Sequence, residues 1–245
     1  HDQDPEVRLK AKELLRRLKL EELWAAREAQ FTPGEQPASK LLETLAEQTG
    51  NHVLTGTPDG TFREQILPWN HQRLGFWQAM DEICRASGNR VRSNYDSRQP
   101  GLVVMAARPS QYPLAYAGPI RGQVVNARRV FSEDLDYETL TGERQHTFQI
   151  GLQLMWEDRF QAVAYRSQLE LISATTDTGV KLAATQASAN AWNVVSSGSR
   201  QVATTLRLQP PPSGAQELES LELRWGLIAV SDLARLEVPA VAGPQ

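Results

Sequence analysis

Few residues in this chain stand where chemistry would need them, and those few set the functional classes open to it. The four histidines, His1, His52, His71 and His146, are scattered, and no two have the i, i+4 spacing that puts metal ligands on one helical face. A histidine-based metal site is not expected. Ser132-Glu-Asp-Leu-Asp-Tyr137 gathers Glu133, Asp134 and Asp136 in an expected inter-strand loop. Hard oxygen ligands of that kind hold calcium when a second acidic loop, here the one carrying Asp177, comes alongside, although no EF-hand pattern is present. The same acids would serve a hydrolase or a glycan-active protein, and they are also what a plain solvated turn contains. Glu157 and Asp158 are adjacent on a strand, so they point to opposite faces and do not share an acid/base site.

The single cysteine, Cys84, rules out an intrachain disulfide and a multi-cysteine zinc site, and its place on an apolar helical face indicates packing. No Gly-x-Ser-x-Gly elbow, Gly-x-Gly-x-x-Gly or Walker loop occurs, so neither a serine hydrolase nor a nucleotide cofactor is implied, and no cofactor is expected. What remains is aromatic. Trp69 and His71 precede a helix that opens with Phe76-Trp77, and neighbours on a helix cannot both face one core. Trp69, His71, Phe76 and Trp77 are therefore the candidate binding residues, a surface for a protein partner.

The elements that carry these residues fall into three parts. Residues 1–30 hold one amphipathic helix over 4–29, with Asp4 to cap it, Pro5 in its first turn and Val7, Ala11, Leu14, Leu15, Leu18 and Leu23 as its stripe. A helical start at Pro5 in a chain that begins with His1 leads us to expect a processed or excised segment. Phe31–Pro37, with Thr-Pro-Gly-Glu-Gln-Pro, reads as a linker. Residues 39–108 form a small α+β unit marked by an echo: Leu45-Ala-Glu-Gln-Thr-Gly-Asn-His-Val53 is answered by Ile83-Cys-Arg-Ala-Ser-Gly-Asn-Arg-Val91. Each is a helix closed by Gly-Asn before a strand, in the order helix, strand, strand, helix, strand, strand, with Ser39 expected as the first cap. Residues 109–240 alternate in period two, most clearly over His146–Asp158, where Phe148, Ile150, Leu152, Leu154 and Trp156 share a face. That pattern predicts a β-sandwich, ending in a short strand at Arg235–Val238.

Two resemblances rest on these residues. Asp4-Pro-Glu-Val-Arg-x-x-Ala-x-x-Leu-Leu15 resembles one helix of a HEAT-type repeat, which cannot cover its own apolar face and implies a partner upstream or in the following domain. Leu42-x-x-Leu-Ala-x-x-Thr-Gly-x-x-Val53, with Phe76-Trp-x-Ala-x-x-x-Ile83, resembles the short N-terminal module of bacterial secretins and TonB-dependent receptors. The resemblance implies an α+β fold for 39–108 and a periplasmic or cell-envelope setting. Residues 109–240 resemble immunoglobulin or C2-like sandwiches.

The charge balance, 26 Lys+Arg against 29 Asp+Glu, supplies no basic field, so nucleic acid is not an expected partner. No apolar run reaches the ~18 residues of a membrane span. The sequence therefore predicts a non-catalytic interaction or structural protein that binds by strand addition.

Overall fold

The computed structural model describes residues 5–56, 60–94, 101–108, 111–136, 141–185, 191–196 and 198–230. Its first part contains α1 (Pro5–Trp24), β1 (Glu28–Gln30), β2 (Gly34–Pro37), α2 (Ala38–Thr49), β3 (Val53–Thr55), β4 (Ile66–Trp69), β5 (Arg73–Gly75), α3 (Phe76–Ser87), β6 (Asn89–Asn94) and β7 (Gly101–Ala106). Strands alone follow: β8 (Leu114–Ala117), β9 (Ile120–Asp136), β10 (Thr141–Trp156), β11 (Gln161–Arg166), β12 (Glu170–Thr176), β13 (Trp192–Val194), β14 (Gln201–Leu208), β15 (Leu218–Arg224) and β16 (Leu227–Val230). The chain is thus strand-rich, and every described helix lies before Gly88.

The repeated Gly-Asn is a duplicated helix stop. Gly50 and Gly88 take left-handed φ of 70° and 68°, and each donates its N–H to a carbonyl of the last turn. Before them, the Thr49 and Ser87 hydroxyls bond back to Leu45 O (2.6 Å) and Ile83 O (2.7 Å). After them, Asn51 and Asn89 donate Nδ2 to those same hydroxyl oxygens at 3.0 and 2.7 Å. Asn89 then clasps Arg63 through both its N–H and its carbonyl. Identical chemistry stops two helices, and the second asparagine's spare groups tie down the chain ahead of β4.

α2 and α3 bury Leu41, Leu42, Leu45, Phe76, Met80 and Ile83 against Leu102 and Val104 of the sheet β3-β7-β6, in which β3 runs parallel to β7. The segment expected as a linker is a strand instead. Gly34–Pro37 pairs antiparallel with Ile66–Trp69 and Phe31 is buried, because each proline sits at a place in a two-stranded ribbon that the pairing tolerates: Pro37 at its end and Pro68 opposite Glu35. α2 starts directly after Pro37 with no side-chain cap, so Ser39 is not the capping residue.

In the all-strand part, β14-β10-β9-β8 form one sheet. Its Ile150, Leu152, Leu154, Leu206 and Leu208 pack with Leu169, Ala174 and Leu182, and with Leu221 and Leu223 of the β12-β15 pair, giving two facing layers. Strands β13-β11-β16 form a further sheet of this part. Strand β10 is not one-sided as its alternation implied: Met155, on the opposite face, belongs to the core of the helical unit. The acidic segment is not a loop either, since β9 continues to Asp136 and pairs there with Thr141. Arg235–Val238 lies outside the described residues.

Helix α1 ends at Trp24 rather than near residue 29. Its C-terminal end is docked: Arg159 donates Nη2 to Ala25 O at 2.7 Å, and Trp24 meets Phe160 edge-on at 4.8 Å. Leu14, Leu15 and Leu18 on its stripe remain more than half exposed, so the following units do not cover it.

Candidate functional site

The helical unit meets the sandwich through side chains that the tight β8–β9 hairpin presents. Gly118 opens that turn at φ 55°, as a two-residue hairpin with glycine in its first central position requires, and a Cβ there would lie 2.1 Å from Trp24 O. Pro119, next in the turn, accepts the indole N–H of Trp77 at 2.9 Å. One helical turn on, Asp81 receives Arg121 bidentately, Nε to Oδ2 at 2.7 Å and Nη2 to Oδ1 at 2.8 Å, with Tyr116 donating its hydroxyl to Oδ2 at 3.0 Å. Both members of the ion pair are nearly dry. Burial, then the Asp81 charge, pushes the Tyr116 phenol up from its ordinary range.

A second lock uses the first copy of the echo. Asn51, where Asn89 clasps its own unit, reaches across instead: Nδ2 donates to Glu157 Oε2 at 3.3 Å and Oδ1 accepts the Arg159 N–H at 3.3 Å. Glu157 is fully buried, pairs with Arg159 at 2.6 Å, and leaves Oε1 unbonded. At the far side Arg200 N donates to the Ser93 hydroxyl at 3.0 Å while its guanidinium holds Asp158.

Between α3, β6 and β8 these contacts leave a cleft of about 260 Å³, lined by Leu74, Val91 and Leu114 and by polar side chains of α3 and β9. Its floor includes Gln123, buried to 2 % exposure. Arg121 Nη1 donates to Gln123 Oε1 at 3.1 Å, which fixes the amide, and its Nε2 has no partner. Cys84 also lines the cleft, but burial raises its thiol pKa well above the ordinary value, with Asp81 adding to the rise, so it is a protonated packing group.

The other feature open to a partner is an edge. Strand β8 pairs with β9 only over Ile120–Gln123, while β9 runs on to Asp136. Backbone parity shows which groups are free. Trp156 N bonds Arg200 O, so even-numbered residues of β10 serve β14 and odd ones serve β9. The β9 partners of Gln149 and Thr147 are Arg128 and Val130, so Ala127, Arg129 and Phe131 turn their N–H and C=O away from β10. A bulge between Val124 and Asn126 produces this phase: ahead of it, Val124 points its N–H the same way and bonds Pro113 O. No described strand pairs with β9 along Asn126–Asp136 on that side, and the side chains of residues 126–129 are exposed.

The candidate binding residues divide. Trp69, Phe76 and Trp77 are at most 2 % exposed and form no aromatic surface; only His71 is exposed, edge-on to Trp69 at 5.2 Å and lining the cleft. Contrary to the expectation that neighbours on a helix cannot share a core, Phe76 and Trp77 are both buried in the core of the helical unit, edge-on to each other at 5.0 Å, and Trp77 reaches the sandwich hairpin as well through its indole N–H. Of the calcium quartet, the side chains of Glu133, Asp134 and Asp136 lie outside the described residues. Their backbone lies in β9, whereas Asp177 follows β12, a strand of a different sheet, and its carboxylate accepts the Gln216 N–H. Among the described residues no cluster of three His, Cys, Asp or Glu side chains is placed to hold a metal. Sequence reasoning missed Asp81, Arg121 and Gln123. The one available signal was Arg121 and Gln123 sharing a strand face just after a Gly-Pro turn. No family model, curated protein or solved structure matches this chain.

Proposed function

We propose that this chain is a non-catalytic interaction protein of the bacterial cell envelope, periplasmic in setting, that receives an extended segment of a protein partner by strand addition along β9. The edge at Ala127, Arg129 and Phe131, unpaired among the described residues, carries this reading, because a row of N–H and C=O groups without a strand partner is the template on which an added strand forms. The envelope setting rests on the resemblance of residues 39–108 to the secretin and receptor module. The ion-paired carboxylate of Asp81 and the protonated thiol of Cys84 are holding groups rather than reactive ones, which agrees with binding.

The test uses proline as an edge blocker. Arg129→Pro removes an N–H that faces away from β10, so the fold keeps its ladder and its thermal midpoint changes little. A photo-crosslinker at Ala127 forms a protein adduct in an envelope fraction, and Arg129→Pro abolishes it. An adduct of equal yield in the proline variant, or no adduct in either, refutes the reading.

A further inference from the structure

We propose that the cleft between α3, β6 and β8 binds a carboxylate on a small apolar group, presented as a free acid or as the last residue of a peptide. This goes beyond strand addition on β9 and stands on different residues. A buried amide N–H without an acceptor is unfavourable, and the Gln123 amide cannot escape by flipping, because Arg121 Nη1 already holds Oε1. The missing partner is therefore an acceptor.

The remaining polar groups select an anionic one. Asp81 is saturated by Arg121 and Tyr116, and Glu82 is taken by Arg85 at 2.5 Å, so the acids on the cleft wall are answered. Arg90 lines the same cleft, is exposed, and forms no ion pair among the described residues. Val91 adds a backbone donor. Gly88 O accepts the Ala107 N–H, so Arg90 and Arg92 face β7 while Asn89 and Val91 turn their backbone groups outward. Leu74, Val91 and Leu114 supply apolar wall, and about 260 Å³ suits a ligand below drug size. An amide donor, a backbone donor and a guanidinium with no ion pair among the described residues, beside apolar side chains, match a carboxylate with an aliphatic substituent.

N-Acetyl-leucine, its amide N-acetyl-leucinamide and the peptide acetyl-Gly-Gly-Leu with a free C-terminus are titrated into the full chain, following the Gln123 side-chain amide by NMR. The acid and the peptide shift that resonance saturably and the leucinamide does not; a tighter peptide identifies a chain terminus as the source, and a tighter free acid identifies a small metabolite. Gln123→Met weakens binding about tenfold. Since that substitution also removes an acceptor from Arg121, Arg90→Gln at the exposed rim is the second variant, expected to weaken binding about threefold with the melting temperature unchanged. A silent Gln123 resonance, equal binding of the leucinamide, or full affinity in Arg90→Gln overturns the proposal.

Discussion

Replacing Asp81 with alanine tests whether the helical unit and the sandwich are locked through a dry ion pair. Arg121 is 5 % and Asp81 13 % exposed at the side chain, with two hydrogen bonds between them and a third from Tyr116. Removing the carboxylate leaves a guanidinium that keeps its bond to the Gln123 amide, a contact with Met155 sulfur and its place over the Trp77 ring, none of which is an anion. Breaking such a pair from one side costs about 3–5 kcal/mol, far above the roughly 0–1 kcal/mol of a surface pair. For a chain of this size that lowers the melting temperature by about 6–20 °C. The penalty arises from the stranded charge, so Asp81→Leu combined with Arg121→Met recovers most of the loss, whereas two independent losses would add. Urea denaturation of the wild type, Asp81→Ala, Asp81→Leu, Arg121→Met and the double variant measures each term. A loss below about 1 kcal/mol for Asp81→Ala, or strict additivity in the double variant, would show the pair to be solvated and the reasoning wrong.

Two further outcomes follow from the same packing. The folded Cys84 thiol titrates above its ordinary 9.0, so the stability it contributes is complete below that pH and is lost as pH rises past it, because the unfolded chain releases the proton first. Urea melts at pH 8 and 10 should differ by about 1 kcal/mol more in the wild type than in Cys84→Ala; equal slopes would contradict the burial. Gly118→Ala places a methyl against Trp24 O and forces a left-handed alanine, about 1–2 kcal/mol for the backbone alone, so α1 should detach at its C-terminal end and be cut by protease near Ala25 well before the sandwich is. Cleavage at the wild-type rate would mean that the hairpin does not seat the helix.

Local chemistry was legible residue by residue. The Thr-Gly-Asn and Ser-Gly-Asn stops are short-range hydrogen-bonded devices, and both are present as read. The period-two run of β10 marked a sheet with a buried face because alternation is a property of a single strand. Proline misled at Phe31–Pro37, since its prohibition applies to central ladders and this ribbon has only two strands. Pairing decided the acidic segment: Glu133 to Asp136 look like a turn until the long hairpin partner of β9 is known.

By itself the sequence determined where α2 and α3 stop, that one face of β10 is apolar, and that a helix-containing stretch precedes an all-strand one, because those features depend on neighbours within a few residues. Tertiary structure alone decided the site. Asp81 and Arg121 are 40 positions apart and Asn51 and Glu157 are 106 apart. A polar residue on an exposed helical face and one inside a dry junction look the same until the surface opposite is in place. Trp77 shows the same limit: it reads as a surplus aromatic, and it is buried because a hairpin carbonyl more than 40 residues downstream accepts its indole N–H.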